Sequence, residues 1–184
     1  MKSTQPTELL FDRVAAPRGA PFEAVLFAVD GGKLCAVDFA GYESRMDKLL
    51  TRRYGSYRFI EAKSAGHRDR NVAHFGERIA AYLAGELNAI NDLPVSLGGT
   101  AFQQSAWLAL RAIPSGQTAT YAAQAARIGK PAAVRAIGAA NGQNPVAIVL
   151  PCHRVIGSSG ALTGFGGGIA TKAWLLRHEG ALLA

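Results

Sequence analysis

Two apolar runs, PFEAVLFAVD and KLCAVDFAGYE, flank the pair Gly31-Gly32. Glycines take positive φ without steric cost, so this pattern predicts a β-hairpin. Residues 44–53 (SRMDKLLTRR) predict a short helix capped by Ser44, and residues 57–62 (YRFIEA) predict a strand. From Asn71 to Ala84 the apolar positions Val72, Phe75, Ile79 and Tyr82/Leu83 recur at helical spacing. Ahead of the hairpin, residues 1–20 read as a loose polar lead-in containing Pro6 and Pro17.

The texture changes around NDLPVSLGGT (91–100), which places a domain boundary between 1–92 and 93–184. Downstream, Phe102, Ala106, Ala109, Leu110 and Ile113 form one helical face, ended by Pro114-Ser115-Gly116. A second helix is predicted over 121–128, stopping at Gly129-Lys130-Pro131, and a third over 132–141 with Val134 and Ile137 facing the core. PVAIVLP (145–151) is too short and too proline-flanked for a helix and is expected to be extended. A loop with six glycines in 157–168 leads to a last helix over 169–178, with Gly180 in the position favoured after a helix C-terminus. The fold class expected is α+β: a small N-terminal sheet with helices, then a mostly helical C-terminal domain.

Composition narrows the function. The 184 residues are 49% hydrophobic, but 34 of them are alanine, and no apolar run reaches the ~20 residues of a membrane helix. The start lacks a secretory signal. Two cysteines, Cys35 and Cys152, make no disulfide framework, so a soluble, cytoplasmic protein is expected. Charge is more telling. Residues 1–98 hold 13 basic and 12 acidic side chains, whereas 99–184 hold 7 basic ones and a single acid, Glu179. That imbalance points to a polyanion as partner of the second half.

The two short helices joined across Gly129-Lys130-Pro131 resemble a helix-turn-helix. The second offers one long polar side chain, Arg135, among alanines. Direct base readout needs several such groups, so a smooth face suits sequence-independent approach to DNA. Equally, alanines simply favour helix.

Residues 151–155 read Pro-Cys-His-Arg-Val. A thiol attacks as thiolate, and a basic neighbourhood with a histidine favours that form. Cys152 is either such a nucleophile or buried core; Cys35, inside an apolar strand, reads as core. No Cys/His cluster at ligand spacing accompanies them, so no metal is expected. Glu179 sits at a helix C-terminus, where the macrodipole disfavours it. It is either a partner that orients His153, or a solvated side chain or an ion pair with Arg177. Asn144 before Pro145 is a turn residue or a local backbone clamp, and Tyr121 a packing residue or proton donor. GFGGG (164–168) is a lid or a connector, without a P-loop ending.

Taken together, FQQSAWLALRAIPSGQTATY, AAVRAIGAANGQNPVAIVLPCHRVIG, SSGALTGFGGG and KAWLLRHEG resemble the O6-alkylguanine-DNA alkyltransferase family. The match runs from about Thr100 to Gly180. The resemblance implies a ribonuclease H-like N-terminal domain, with which the hairpin and helices of 1–92 are compatible. It implies irreversible, stoichiometric transfer of an alkyl group from O6-alkylguanine (with O4-alkylthymine as a second lesion) in double-stranded DNA to Cys152, after base flipping. In that scheme His153 acts on Cys152 through a water, Glu179 orients His153, Asn144 holds the turn, and Tyr121 donates to the departing guanine. Val155, Phe165 and Gly166 line the base pocket. Arg135 fills the gap left by the flipped nucleotide, while Lys130, Ala132, Ala133, Ala136 and Ser158 face DNA. No cofactor is implied, and a monomer is expected. Thr120, Phe165 and Ala106 depart mildly from the family pattern. The alternative is a module that flips alkylated bases and recruits other factors without transfer. Cys152 with Glu179 discriminates, because a pure binder has no use for a thiolate relay.

Overall fold

In the computed structural model, which describes residues 5–62 and 69–182, the hairpin closes on Gly31 and Gly32, both at positive φ. Its strands are β2 (Ala24–Asp30) and β3 (Lys33–Phe39). They join β1 (Thr7–Ala15) and β4 (Tyr57–Glu61) in a sheet of order β3-β2-β1-β4, antiparallel except for the parallel β1–β4 pair. Alternation along β2 sorts its side chains. Val25, Phe27 and Val29 enter the main core, while Ala24, Leu26 and Ala28 meet Met46 and Leu50 of α1 (Glu43–Tyr54) on the opposite face. Both faces are covered, which is why β2 reads as one continuous apolar run.

Helix α2 (Arg70–Leu83) lies against the main-core face through Val72, Phe75, Ile79, Tyr82 and Leu83. Asp69 caps it, accepting from the amides of Asn71 and Val72. The second half contains α3 (Ala101–Ala109), β5 (Ala119–Thr120), α4 (Tyr121–Arg127), α5 (Val134–Gly142), β6 (Val155–Ile156) and α6 (Ile169–His178). The α+β class stands. Thr100 and Gln103 form a reciprocal capping box at α3.

The outer edge of β3 is covered by two short stretches of the second half. Leu34 exchanges hydrogen bonds with Pro94 and Ser96 (3.0 and 2.8 Å), and Val37 with Pro145 and Ala147 (2.9 and 3.0 Å). An otherwise open sheet edge thus carries the segment that leads to Cys152.

Four expectations change. Residues 7–15 form β1 rather than a lead-in, with both prolines outside the strand; Leu9 is its only fully buried residue, so it carries little apolar signal. The first four residues lie outside those described. Ser44 is not a cap: α1 starts at Glu43, and Tyr42 precedes it without a side-chain cap bond. Segment 145–151 is not extended. After one bridge at Val146 it turns sharply, since its apolar character reflects burial on all sides rather than strand periodicity. Helix α5 begins at Val134, leaving Ala132 and Ala133 in the preceding turn, and Val134 itself is exposed while Ile137 is buried.

Helices α4 and α5 are clamped by two buried amides. Asn141 Nδ2 donates to Gln124 Oε1 at 2.7 Å, and Gln124 Nε2 donates to Asn141 Oδ1 and the Ala106 carbonyl at 3.1 and 2.9 Å. Asn141→Ala removes one partner and strands part of the other. It should cost about 2 kcal/mol, read as a lowered urea midpoint with unchanged slope; no change in midpoint would show the clamp to be energetically idle.

Candidate active site

Asn144 shapes the approach to Cys152. Its Oδ1 accepts from the Val146 amide (3.0 Å), and its Nδ2 donates to the Leu150 carbonyl (2.7 Å). Between these anchors Ile148 sits at φ 60. That conformation costs a β-branched residue about 1–3 kcal/mol and persists only where its surroundings enforce it. The same Nδ2 lies 3.1 Å from Cys152 Sγ. Arg45, from α1, supports the turn from outside. It donates to the Asn144 carbonyl at 2.8 Å and to Asp38 at 2.5 Å.

Cys152, His153 and Arg154 form a single 3-10 turn, all three buried. Burial pushes the Cys152 thiol up from its usual range, against the Asn144 hydrogen bond and the positive charges of Arg45 and Lys172. The resting group is therefore a neutral thiol, in a setting that stabilises the thiolate once it forms.

Glu179 follows α6 and is 4% exposed. Its Oε1 accepts from His153 Nε2 (3.0 Å), Arg154 Nη2 (2.8 Å) and Tyr82 Oη (2.8 Å), and its Oε2 from Arg154 Nε (2.8 Å). Burial opposes its charge, but the His153 and Arg154 contacts prevail and hold its carboxyl well below the usual range. An ionised carboxylate only accepts, so His153 carries its proton on Nε2, and Nδ1 presents a lone pair. Nδ1 is buried with no hydrogen-bond partner among the described residues. Burial lowers the His153 pKa, partly offset by Glu179, so the neutral form prevails.

The structure therefore brings Cys152, His153, Glu179 and Asn144 together. Glu179 pairs with Arg154, not with Arg177. Tyr121 opens α4 and donates to the Thr163 carbonyl at 3.0 Å; Phe165 lies edge-on to His153 at 6.4 Å, and Val155 is buried. The glycine loop is packed rather than loose. A Cβ on Gly166 would meet the Arg45 guanidinium, on Gly167 the Phe39 ring, and on Gly168 the Tyr42 hydroxyl. Arg135 and Ala136 are exposed in the first turn of α5, with Lys130, Ala132 and Ser158 exposed in turns and Ala133 partly so. Among the described residues no group of three or more His, Cys, Asp or Glu could hold a metal, and Cys35 is buried as expected.

Sequence reasoning missed Arg45, Asp38, Tyr82 and Lys172, and took Arg154 as a basic neighbour of Cys152 rather than the partner of Glu179. Lys172 is fully buried, its Nζ donating to the carbonyls of Val155 (2.6 Å) and Thr163 (2.9 Å). Its position inside α6 carries no signal beyond a polar residue among apolar ones.

The His153 shift has a testable sign. A histidine whose folded pKa lies below the unfolded value of about 6.5 makes stability full at higher pH and smaller as pH falls through that value towards the folded one. Lowering the pH from 7.5 to 5.5 should cost about 1 kcal/mol or more in urea unfolding of the parent protein, and clearly less in His153→Gln. Equal losses in both would place the pH sensitivity elsewhere.

Residues 101–181 match the family model described as 6-O-methylguanine DNA methyltransferase, DNA binding domain. A methylated-DNA–protein-cysteine methyltransferase of Salmonella typhimurium is 45% identical over 177 residues, covering 95% of this chain and 98% of the relative. The Mycobacterium tuberculosis OGT solved in complex with DNA superposes with a TM-score of 0.73 at 36% identity, covering 93% of this chain and 92% of that one. The O6-methylguanine-DNA methyltransferase of Pyrococcus kodakaraensis gives 0.71 at 27% identity, with 94% and 99% covered. This chain belongs to the methylated-DNA–protein-cysteine methyltransferase family.

Proposed function

We propose that this protein reverses O6-alkylguanine damage in duplex DNA by moving the alkyl group irreversibly onto Cys152. One observation carries the reading. A buried thiol in contact with the Asn144 amide adjoins a histidine whose Nε2 is engaged by a buried carboxylate and whose Nδ1 has no partner among the described residues.

His153 Nδ1 takes the thiol proton through an intervening water. The Asn144 N–H, Arg45 and Lys172 stabilise the resulting thiolate, and Glu179 stabilises the imidazolium. Sulfur attacks the alkyl carbon; the S–C bond forms as the C–O6 bond breaks, and its electron pair passes to the guanine. The Tyr121 hydroxyl donates a proton to that guanine and is replenished from the imidazolium by way of solvent. The products are an S-alkyl Cys152 and an intact guanine. A thioether is a poor leaving group, so each molecule acts once.

The reacting carbon is inaccessible in a stacked duplex, so the nucleotide is extruded at a cost of a few kcal/mol. Helices α4 and α5 act as a helix-turn-helix. The face formed by Lys130, Ala132, Ala133 and Ala136 approaches the minor groove, with Ser158 beside it, and Arg135 fills the gap in the stack. The carbonyls and amides around Val155, Phe165 and Gly166 hold the base edge. In this division residues 93–184 bind DNA and transfer the alkyl group, and residues 1–92 support them.

Three experiments test the proposal. Incubation with an O6-methylguanine oligonucleotide should give one methyl adduct on the Cys152 peptide by mass spectrometry. Cys152→Ala should bind the same DNA without repair; absence of the adduct in the parent protein sinks the transfer. Arg135→Ala should slow repair of duplex DNA by about tenfold or more while leaving reaction with free O6-alkylguanine unchanged. Equal loss on both substrates would contradict the wedge role.

A further inference from the structure

Tyr82 belongs to α2 and is separated from Glu179 by 97 positions, yet its hydroxyl donates to Glu179 Oε1 at 2.8 Å in a fully buried setting. We infer that Tyr82 is a positioning residue of the alkyl-transfer relay, through which the N-terminal half sets the strength of the Glu179–His153 hydrogen bond. The inference rests on the transfer reading above.

The distribution of donors on the carboxylate supports this role. Among the described residues Oε2 accepts only from Arg154 Nε, whereas Oε1 accepts from Arg154 Nη2, His153 Nε2 and Tyr82 Oη. Tyr82 therefore donates to the oxygen that orients His153, and the two compete for its electron density. Each extra donor on an acceptor oxygen weakens the hold of that oxygen on the others. A phenylalanine would keep the ring in the main core and its edge contact with His178 at 5.3 Å, so packing alone does not call for the hydroxyl.

The residue is latched at both ends. His178, the neighbour of Glu179, donates through Nε2 to the Tyr82 carbonyl at 2.8 Å and stacks on Trp174 at 4.9 Å. Main chain and side chain of one α2 residue thus grip two successive residues at the end of α6. The phenol itself stays protonated across the physiological range, because burial and the Glu179 charge both push its pKa upward. The groups facing His153 are Glu179, Arg154 and Lys172, with Cys152 adjacent in the chain. Tyr82 reaches His153 only by way of Glu179.

Removing the hydroxyl frees Oε1 for His153, stabilises the imidazolium and raises the pH at which His153 becomes a competent base. In single-turnover transfer from an O6-methylguanine oligonucleotide between pH 5 and 8.5, Tyr82→Phe should move the acid limb upward by about half a pH unit. Rates on that limb should fall about threefold, with the high-pH plateau kept. The NMR titration of His153 in the DNA-free protein should move in the same direction. A superimposable profile, a downward move, or a uniform loss of rate without displacement would overturn the assignment; the last is what a purely structural role predicts. Tyr82→Leu, which also opens space, should add a fall in thermal midpoint to the same displacement. If the parent protein transfers no methyl group the functional reading fails, while the His153 titration still decides for or against Tyr82.

Discussion

A carboxylate shut away from water dictates how the two halves of this chain meet. An ion moved from water into a protein interior loses several kcal/mol of solvation even after relaxation, and is tolerated only when paired and fully hydrogen-bonded. Glu179, at the end of α6, obtains those partners from two places: Tyr82 on α2, and His153 and Arg154 on the 3-10 turn. Arg154 is satisfied in turn by the Ile113 carbonyl and the Ser115 hydroxyl after α3. Removing any one partner leaves a buried charge short of compensation, so these four regions are fixed together. The histidine lies inside that knot and inherits its rigidity.

The Cys152 thiol is held by a different set of forces. Neutral hydrogen bonds from Asn144 and the edge of β3 bend the chain through a strained residue and bring the thiol against an amide. Arg45 connects the two systems. Asp38 steadies its guanidinium, which supports the Asn144 carbonyl and also lies against Gly166. The separation is chemically sensible, because a permanent charge beside the sulfur would fix its protonation state. Here Glu179 and Arg154 act on the sulfur by way of the imidazole, while Arg45 and Lys172 bias it towards the thiolate without overcoming its burial.

Much of this was legible in the sequence, for identifiable reasons. The hairpin announced itself through two apolar runs about a glycine pair, and α2 through a clean helical period. Cys152, His153 and Asn144 stood close together in the chain, and Glu179 was conspicuous as the only acid in a basic half. Strand β1 was hidden because one residue alone is fully buried, and the turn at 145–150 because uniform burial erases periodicity. Tyr82 looked like any other apolar position of its helix. Arg45 looked like one of many surface cations on α1. Partners a hundred residues apart leave no local signature, so the support of the site was invisible while the Cys152–His153 pair itself was not.

The glycine run at 166–168 has a consequence for how this molecule tolerates change. With no side chains of its own, that stretch takes its course from the guanidinium, phenyl and phenol groups of Arg45, Phe39 and Tyr42. Part of the path of that loop is therefore written in the other half of the chain, as a mould writes the shape of a cast. A methyl group added to the loop and an altered ring on the sheet are the same error seen from two sides. Drift in either half is answerable to the other, which ties the sheet and α1 to the loop beside Cys152.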